Sequence, residues 1–313
     1  MDKVDIWLLK ALERKPRASY HELGKSLGIS APSVQKRVVE LERSGRVQRF
    51  VAYLHPDAFG FYMAIVQGHC KGVLTKKAVG TIGEHGTVRS LAYCAMNQVI
   101  AITMRRNTTD LAELMSLMSE VCGIEDLQSF LLGDSFFLGE SVKTRFTSKN
   151  VRQAPPELKR TDYQIILALR QNARKSLSDI AKEVGISSKT VRRRLNRMIE
   201  SNVIEFMVLK TPRSDQDIYF HINITLTSRS RKEVFFERLR KDFHQELDRV
   251  AFFDNPPKTV FVDGLVMTIE ELQNIVDRLA VLPEVEMVTP NIVLKEYFFD
   301  TNLDKMLLRM AEG

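Results

Sequence analysis

The chain has 313 residues, of which 44% are hydrophobic and 27% charged, and it carries 46 Lys and Arg against 39 Asp and Glu for a formal charge of +7. That length exceeds what one hydrophobic core usually organises, so two or more domains are expected, and the basic balance favours an anionic partner. No run of roughly 18 uncharged apolar residues is present and charges interrupt MDKVDIWLLKALERK, which argues against a helical membrane span and against a signal peptide.

In chain order, Ile6, Leu9 and Leu12 recur at helical spacing, and a turn around Lys15–Arg17 follows. Ser19 can cap a short helix reaching Leu27, with Glu22 in capping-box position. Gly28 can supply the left-handed residue that ends it, and Ser30 can cap a third helix with Val34, Val38 and Leu41 facing inward. Two short helices joined by a tight Gly-Ile-Ser turn are a helix-turn-helix. The alternating run GRVQRFVAYLHP then reads as a short hairpin or wing. Beyond it, FYMAIVQGHC is a strand, LTKKAVGTIGEHG a helix, VRSLAYCAMN and QVIAITMRR two strands, DLAELMSLMSEVCGI an amphipathic helix and EDLQSFLLGDSFFLGES a last strand region.

The whole programme is then written again. Residues 5–49 align with 162–206 without a gap, at an offset of 157, and Asp5, Ala11, Leu12, Arg17, Ser19, Lys25, Gly28, Ile29, Ser30, Val34, Arg37 and Ser44 all recur. In the second copy Ile165 and Leu169, the cap pair Ser176 and Asp179, Gly185, Ser187 or Ser188, and Val191, Leu195 and Met198 take the same places; NVIEFMVLKTP is its wing. The order IYFHINITLTS, KEVFFERLRKDFHQE, LDRVAFFD, KTVFVDGLVMT, IEELQNIVDRLAVL, EVEMVTPNIVLKEYFFD repeats β-α-β-β-α-β, the split pattern of a ferredoxin-like domain. Met63, Ile65, Ile100, Ile102, Phe220, Ile222, Ile224, Val260 and Val262 are candidate buried strand residues. The fold class expected is therefore α+β: two winged helix-turn-helix domains, 1–55 and 161–212, alternating with two ferredoxin-like domains, 60–142 and 217–300. A polar linker spans 143–160 and a helical tail 301–313.

Helix 187–201 draws the eye because Lys189, Arg192, Arg193, Arg194 and Arg197 face a lone Glu200, and residues 161–210 hold ten Lys or Arg against five Asp or Glu. With Val191, Leu195 and Met198 inward, Ser188, Lys189, Thr190, Arg192, Arg193, Arg194, Asn196 and Arg197 are candidates to meet DNA: Lys and Arg neutralise phosphates, and Arg and Asn can also make paired contacts to base edges. The matching set on helix 30–44 is Ser33, Gln35, Lys36 and Arg37, with Glu40 and Glu42 opposing DNA.

The openings DIWLLKALERKPRASYHELGKSLGIS and TDYQIILALRQNARKSLSDIAKEVGIS, each followed by a wing and βαββαβ, resemble the Lrp/AsnC (feast/famine) family of prokaryotic transcription regulators, in a tandem-duplicated form. The resemblance covers nearly the whole chain. It implies RAM-type ferredoxin-like domains whose sheets pack together, as an intramolecular pseudo-dimer or a homodimer, and third helices that enter the DNA major groove. It implies a cytoplasmic, nucleoid-associated regulator binding double-stranded DNA. Two unlike heads on one monomer would read an asymmetric site, whereas a symmetric dimer reads a palindrome. The resemblance also places a small-molecule effector near the loop between the second and third strands, but the turns YCAMNQVI, 93–100, and FFDNPPKTVF, 252–261, lack the family's G-x-x-D element.

Other chemistry is weaker in the sequence. The histidines are scattered, and His69 and Cys70 are adjacent and so point to opposite faces of a strand, so no metal site is expected. Cys70, Cys94 and Cys122 read as reduced thiols. No nucleotide-binding glycine loop, HExxH or GxSxG is present, and no cofactor is expected. The chain is therefore expected not to be an enzyme. Two alternatives stand beside the regulator: an architectural or protein-assembly module, and a siroheme-decarboxylase-like tetrapyrrole enzyme, since those enzymes resemble the same family in architecture. His221, in strand YFHINITL, and His244 would be the residues of interest for the second.

Overall fold

A computed structural model of the chain describes residues 2–47, 49–138, 157–170, 172–209 and 218–312. In chain order the elements are α1 (Lys3–Arg14), α2 (Tyr20–Leu27), α3 (Ala31–Arg43), β1 (Arg49–Leu54), β2 (Tyr62–Cys70), α4 (Lys76–Glu84), β3 (Val88–Cys94), β4 (Gln98–Arg105), α5 (Thr108–Ser116) and β5 (Ile124–Phe137). The second copy supplies α6 (Arg160–Arg170), α7 (Leu177–Val184), α8 (Ser188–Glu200), β6 (Ile204–Leu209), β7 (Ile218–Leu226), α9 (Lys232–Asp242), β8 (Leu247–Asn255), β9 (Thr259–Val266), α10 (Ile269–Ala280) and β10 (Val285–Phe298), before a last helix α11 (Asn302–Glu312). They group into two compact units, one of Met1–Ala58, Arg152–Asp215 and Met306–Gly313, the other of Phe59–Val151 and Gln216–Lys305. Most of the linker expected at 143–160 lies outside the described residues.

The first unit holds both helix-turn-helix heads, and local chemistry sets their ends. Ser19 caps α2 in a reciprocal pair with Glu22, and Gly28 closes it at φ 68°. Ser176 caps α7 by accepting from the Asp179 N–H, and Gly185 closes it at φ 73°. Ser30 caps α3 and Ser187 caps α8, each hydroxyl accepting from the backbone N–H three residues on. Val34, Val38 and Leu41 are buried under α3, and Val191, Leu195 and Met198 under α8. On α1 the buried pair is Leu8 and Leu12, while Ile6 is exposed, so its inward stripe is rotated from the one expected.

The wings differ from expectation. Each contributes one strand, and the strands pair with each other: β1 runs antiparallel to β6, with Phe50 opposite Val208 and Leu54 opposite Ile204. Alternation in sequence marks a strand but does not name its partner. The heads are further clasped by reciprocal arginines at duplicate positions. Arg17 donates to the carbonyls of Ala173 and Lys175, the latter at 3.0 Å. Arg174 donates to those of Pro16 and Ala18, at 2.7 and 2.8 Å. Each guanidinium also lies over aromatic rings, Arg17 over Phe206 and Arg174 over Tyr20 and Phe50.

In the second unit the β-α-β-β-α-β order recurs in both halves. The strands do not remain two separate packed sheets, as expected, but close into one barrel in the order β10-β3-β4-β2-β5-β8-β9-β7, every pairing antiparallel. The physical reason is the edges: long β5 and β10 each extend past their own half to pair with β8 and β3, leaving no open row of backbone donors. The order repeats after four strands, which relates the halves by a pseudo-two-fold along the barrel axis. Gln67 and Asn223, inward residues of the equivalent strands β2 and β7, share a 3.0 Å hydrogen bond.

Period-two alternation divides each strand between two cores. On β7, Phe220, Ile222, Ile224 and Leu226 point outward to Phe235, Phe236 and Leu239 of α9 and to Leu272, Ile275 and Leu279 of α10. Burial of each such side chain contributes about 1.5–3 kcal/mol. The first half makes a smaller counterpart around Val66, Ile82, Leu91 and Leu114. Inside the barrel, Ile65, Ala92, Ile100, Phe130, Ala251, Phe253, Phe261 and Val293 form a separate filling, the expected state for eight strands.

Candidate functional site

Two places hold chemistry: the third helix of each head and one end of the barrel interior.

On α8, Ser188, Lys189, Arg192, Arg193, Asn196 and Arg197 are exposed, while Thr190 and Arg194 are half-buried. Thr190 belongs to the cap, its backbone N–H on the Ser187 hydroxyl at 3.2 Å. Arg194 and Arg197 converge on Asp162, which is fully buried: Arg194 meets its two carboxylate oxygens at 3.0 and 3.1 Å, and Arg197 meets one at 3.0 Å. The basic cluster therefore contains two arginines that hold the helix to α6. Lys189, Arg192 and Arg193 make no ion pair among the described residues. Arg37, at the duplicate position of Arg194, does the same on the first head, binding Asp2 at 2.8 Å and Asp5 at 2.5 Å. Ser33 is half-buried, its N–H on Ser30, and Gln35 and Lys36 are exposed. A shallow cavity of about 440 Å³ between α1 and α3 is lined by Asp5, Ser33, Lys36 and Arg37 among others.

The barrel site is built by strand register. His221 of β7 lies opposite Asp263 of β9, and Asp263 opposite Arg249 of β8. Arg249 donates twice to one oxygen of Asp263, from Nε at 2.8 Å and from Nη at 2.6 Å. The His221 ring stands edge-on to Tyr219, centroids 4.9 Å apart, and against Phe261 at 4.7 Å. Its Nδ1 is buried without a hydrogen-bond partner among the described residues. Glu296 of β10, the strand paired with β7, stands beside the Ser90 hydroxyl of β3. His221 and Asp263 lie deep, whereas Tyr219 and Glu296 keep some exposure and the Arg249 side chain is 30% exposed, so this end is reached from solvent.

Burial sets the protonation states. It pulls the His221 imidazole down to about 3, with help from the Arg249 charge, so the ring is neutral. It pushes the Glu296 carboxyl up to about 7; Ser90 and Arg249 oppose the rise and Asp263 adds to it. The Tyr219 hydroxyl is raised well above its ordinary range by burial and by Asp263. A carboxylic acid, a neutral imidazole and an ion pair together in a partly enclosed place can dock an anionic group and move a proton.

The registers also show what stands opposite in the first half. Ile65 faces Ile102 as His221 faces Asp263, and Ser90 faces Ile102, after a bulge, as Arg249 faces Asp263. Ser135 is paired with Ala251 as Glu296 is with Ala92. Sequence reasoning singled out His221 but missed Tyr219, Arg249, Asp263 and Glu296. The signal lay in comparing halves along the strands: polar residues sit at inward positions that are apolar or small in the first copy. His244, the other histidine considered, is not brought into this group.

A winged helix-turn-helix DNA-binding model matches residues 158–205, and an AsnC-type helix-turn-helix domain model matches residues 1–42. The chain thus carries two helix-turn-helix regions in tandem and is distantly related to Lrp/AsnC-type regulators, a relationship that supports a DNA-binding capacity in general. It is 19% identical over 134 residues to the HTH-type transcriptional regulator FL11 of Pyrococcus horikoshii, an alignment covering 42% of this chain and 89% of that protein. Over nearly its full length it is similar in fold to the siroheme decarboxylase NirDL, with a TM-score of 0.58 at 11% identity, covering 99% of this chain and 100% of that one. The complex of that enzyme with an iron-uroporphyrin III analogue matches at a TM-score of 0.56 and 10% identity, covering 98% and 99%. The expectation that the chain is not an enzyme is corrected by these matches: the fold shared along its whole length is one that an enzyme uses, so the absence of familiar catalytic motifs gives no ground for excluding catalysis. No helix among the described residues is long and apolar enough to cross a membrane.

Proposed function

We propose that the chain is a siroheme-decarboxylase-like enzyme acting on a carboxylated tetrapyrrole at the polar end of the barrel. The observation that carries this reading is the set Tyr219, His221, Arg249, Asp263 and Glu296, brought together by four adjacent strands at one end of the barrel interior. Buried charged groups cost stability when they serve only packing, and the duplicate positions are filled by the uncharged Met63, Ile65, Ser90, Ile102 and Ser135. The whole-length likeness in fold to a siroheme decarboxylase supports it. Phe130, Phe253 and Phe261 fill the middle of the barrel, so a macrocycle lies outside and sends a carboxylate arm to Arg249 and Glu296. The test is anaerobic incubation of the intact chain with siroheme, following the substrate by mass spectrometry. Products lighter by CO2 are expected; unchanged siroheme would refute the reading.

A second reading, a DNA-binding regulator of Lrp/AsnC type built on two ferredoxin-like halves, is favoured by the exposed Lys189, Arg192 and Arg193 on α8. In this reading those three meet phosphate or base edges, Ser188 and Asn196 flank them, and Gln35 and Lys36 offer a weaker surface on α3. It is tested by selecting bound duplexes from random DNA; no retention would remove it.

A further inference from the structure

Among the acids at the polar end of the barrel, the groups are not interchangeable. Asp263 is engaged by two donors of Arg249 on one of its oxygens. His221 is buried and neutral, with no proton to spare as a cation. Tyr219 holds its proton too tightly to give it up readily. Glu296 differs from all three. It makes no ion pair among the described residues, it stands beside a hydroxyl rather than a cation, and it keeps a partly exposed edge.

We propose that Glu296 is the proton donor of this site and Arg249 the group that docks the carboxylate to be lost, so that each chain carries one acid–base centre, built by its second half. The proposal rests on the decarboxylase reading given above and assigns its chemistry. In the step, the bond between the substrate carbon and its carboxylate breaks, the electron pair stays on that carbon and CO2 leaves. The Glu296 carboxyl then gives its proton to the carbon, and the resulting carboxylate is reprotonated from water, so no oxidant or reductant is consumed. A donor titrating near the working pH is the efficient one, and burial holds Glu296 at about 7.

The groups facing Glu296 define that titration. Tyr219 comes from β7, Arg249 from β8, Asp263 from β9, and Ser90 and Cys94 from β3. Its sequence neighbours Lys295 and Tyr297 stack on one another outside, the ammonium 5.0 Å from the ring centre.

The experiment is a pH–rate profile for CO2 release from siroheme by the intact chain, for wild type, Glu296→Gln, Glu296→Asp, Arg249→Lys and, as the control from the silent half, Ser135→Ala. In parallel, the Glu296 carboxyl is titrated by NMR in chain labelled with 13C-glutamate and assigned by its loss in Glu296→Gln. The expected result is a kcat lower by roughly 10²-fold or more in Glu296→Gln at little changed KM. The limb near pH 7 should be lost, activity partly restored in Glu296→Asp, KM raised in Arg249→Lys, and Ser135→Ala should match wild type. A glutamate resonance titrating near 7 should vanish in Glu296→Gln. Release of CO2 by Glu296→Gln at the wild-type rate with the limb intact would overturn the proposal while leaving the decarboxylase reading in place. No release by the wild type would overturn that reading, and this chemistry with it.

Discussion

At the same level of one barrel, Ile65 faces Ile102 in the first half and His221 faces Asp263 in the second. Backbone, register and even the bulge before Ser90 and Arg249 are kept, while the chemistry diverges. The heads tell a milder version of the same story. Arg37 and Arg194, at duplicate positions, both anchor their third helix to carboxylates, yet α8 adds Arg192 and Arg193 where α3 has Gln35 and Lys36. In both pairs the positions that hold the scaffold together stay alike, and the divergence is confined to side chains at one end of the barrel and on the exposed face of the third helix.

The comparison is most easily broken at the ion pair. Arg249→Ala leaves Asp263 buried without its partner and should cost about 2–4 kcal/mol in denaturant unfolding, the partial exposure of the arginine keeping it below a fully buried pair. Ile102→Val, at the place of Asp263 in the first half, should cost about 0.5–1.5 kcal/mol. Equal costs would mean that the halves are not divided as described.

The next effect is pH-dependent. Glu296 binds its proton more tightly folded than unfolded, so stability falls as pH rises from about 4.5 to about 7 and stays low above. Glu296→Gln should remove that fall and raise stability at pH 8 by about 2–3 kcal/mol. His221 has the opposite sign: its folded value near 3 lies below the unfolded 6.5, so stability is lost as pH drops through that window. His221→Asn should flatten the acid side. Urea midpoints across pH 3–8 would read both slopes, and Ser135→Ala in the first half should leave them as in wild type.

Where the halves are alike, the effects should be alike. Arg17→Ala and Arg174→Ala each remove two hydrogen bonds to carbonyls of the other head and one or more ring contacts, for about 1–3 kcal/mol each. A double-mutant cycle should show them coupled, because they serve one clasp. The smallest and most conditional effect concerns DNA: the pair Arg192→Ala and Arg193→Ala should lower the salt slope of any duplex binding by about 1–2, and Lys36→Ala by less. Arg194→Ala should instead lower stability, since its partner Asp162 is buried.

Much of the scaffold was legible in the sequence because it is local. Caps such as Ser19 with Glu22, the left-handed Gly28 and Gly185, and the inward stripes of α3 and α8 depend on residues three or four apart. Strand partners are not local. The β1–β6 pairing joins residues about 155 apart and the barrel closes through β5–β8 and β10–β3, so a hairpin wing and two separate sheets were the natural expectation. The same blindness hid the barrel site. Arg249, Asp263 and Glu296 look like ordinary surface charges in LDRVAFFD, TVFVDGLV and IVLKEYFF until register turns them inward. Conversely, the contacts of Arg194 and Arg197 to Asp162 were not legible, because Asp162 lies more than thirty residues away.

The most direct measurement is turnover of siroheme by the intact chain under anaerobic conditions, with Glu296→Gln and Ser135→Ala run beside it. If the second half alone carries the chemistry, wild type and Ser135→Ala yield decarboxylated product at the same rate and Glu296→Gln yields little. Siroheme recovered unchanged from all three, with duplex DNA bound tightly and in a salt-dependent way by α8, would contradict the enzyme reading and make the heads the working part of the molecule.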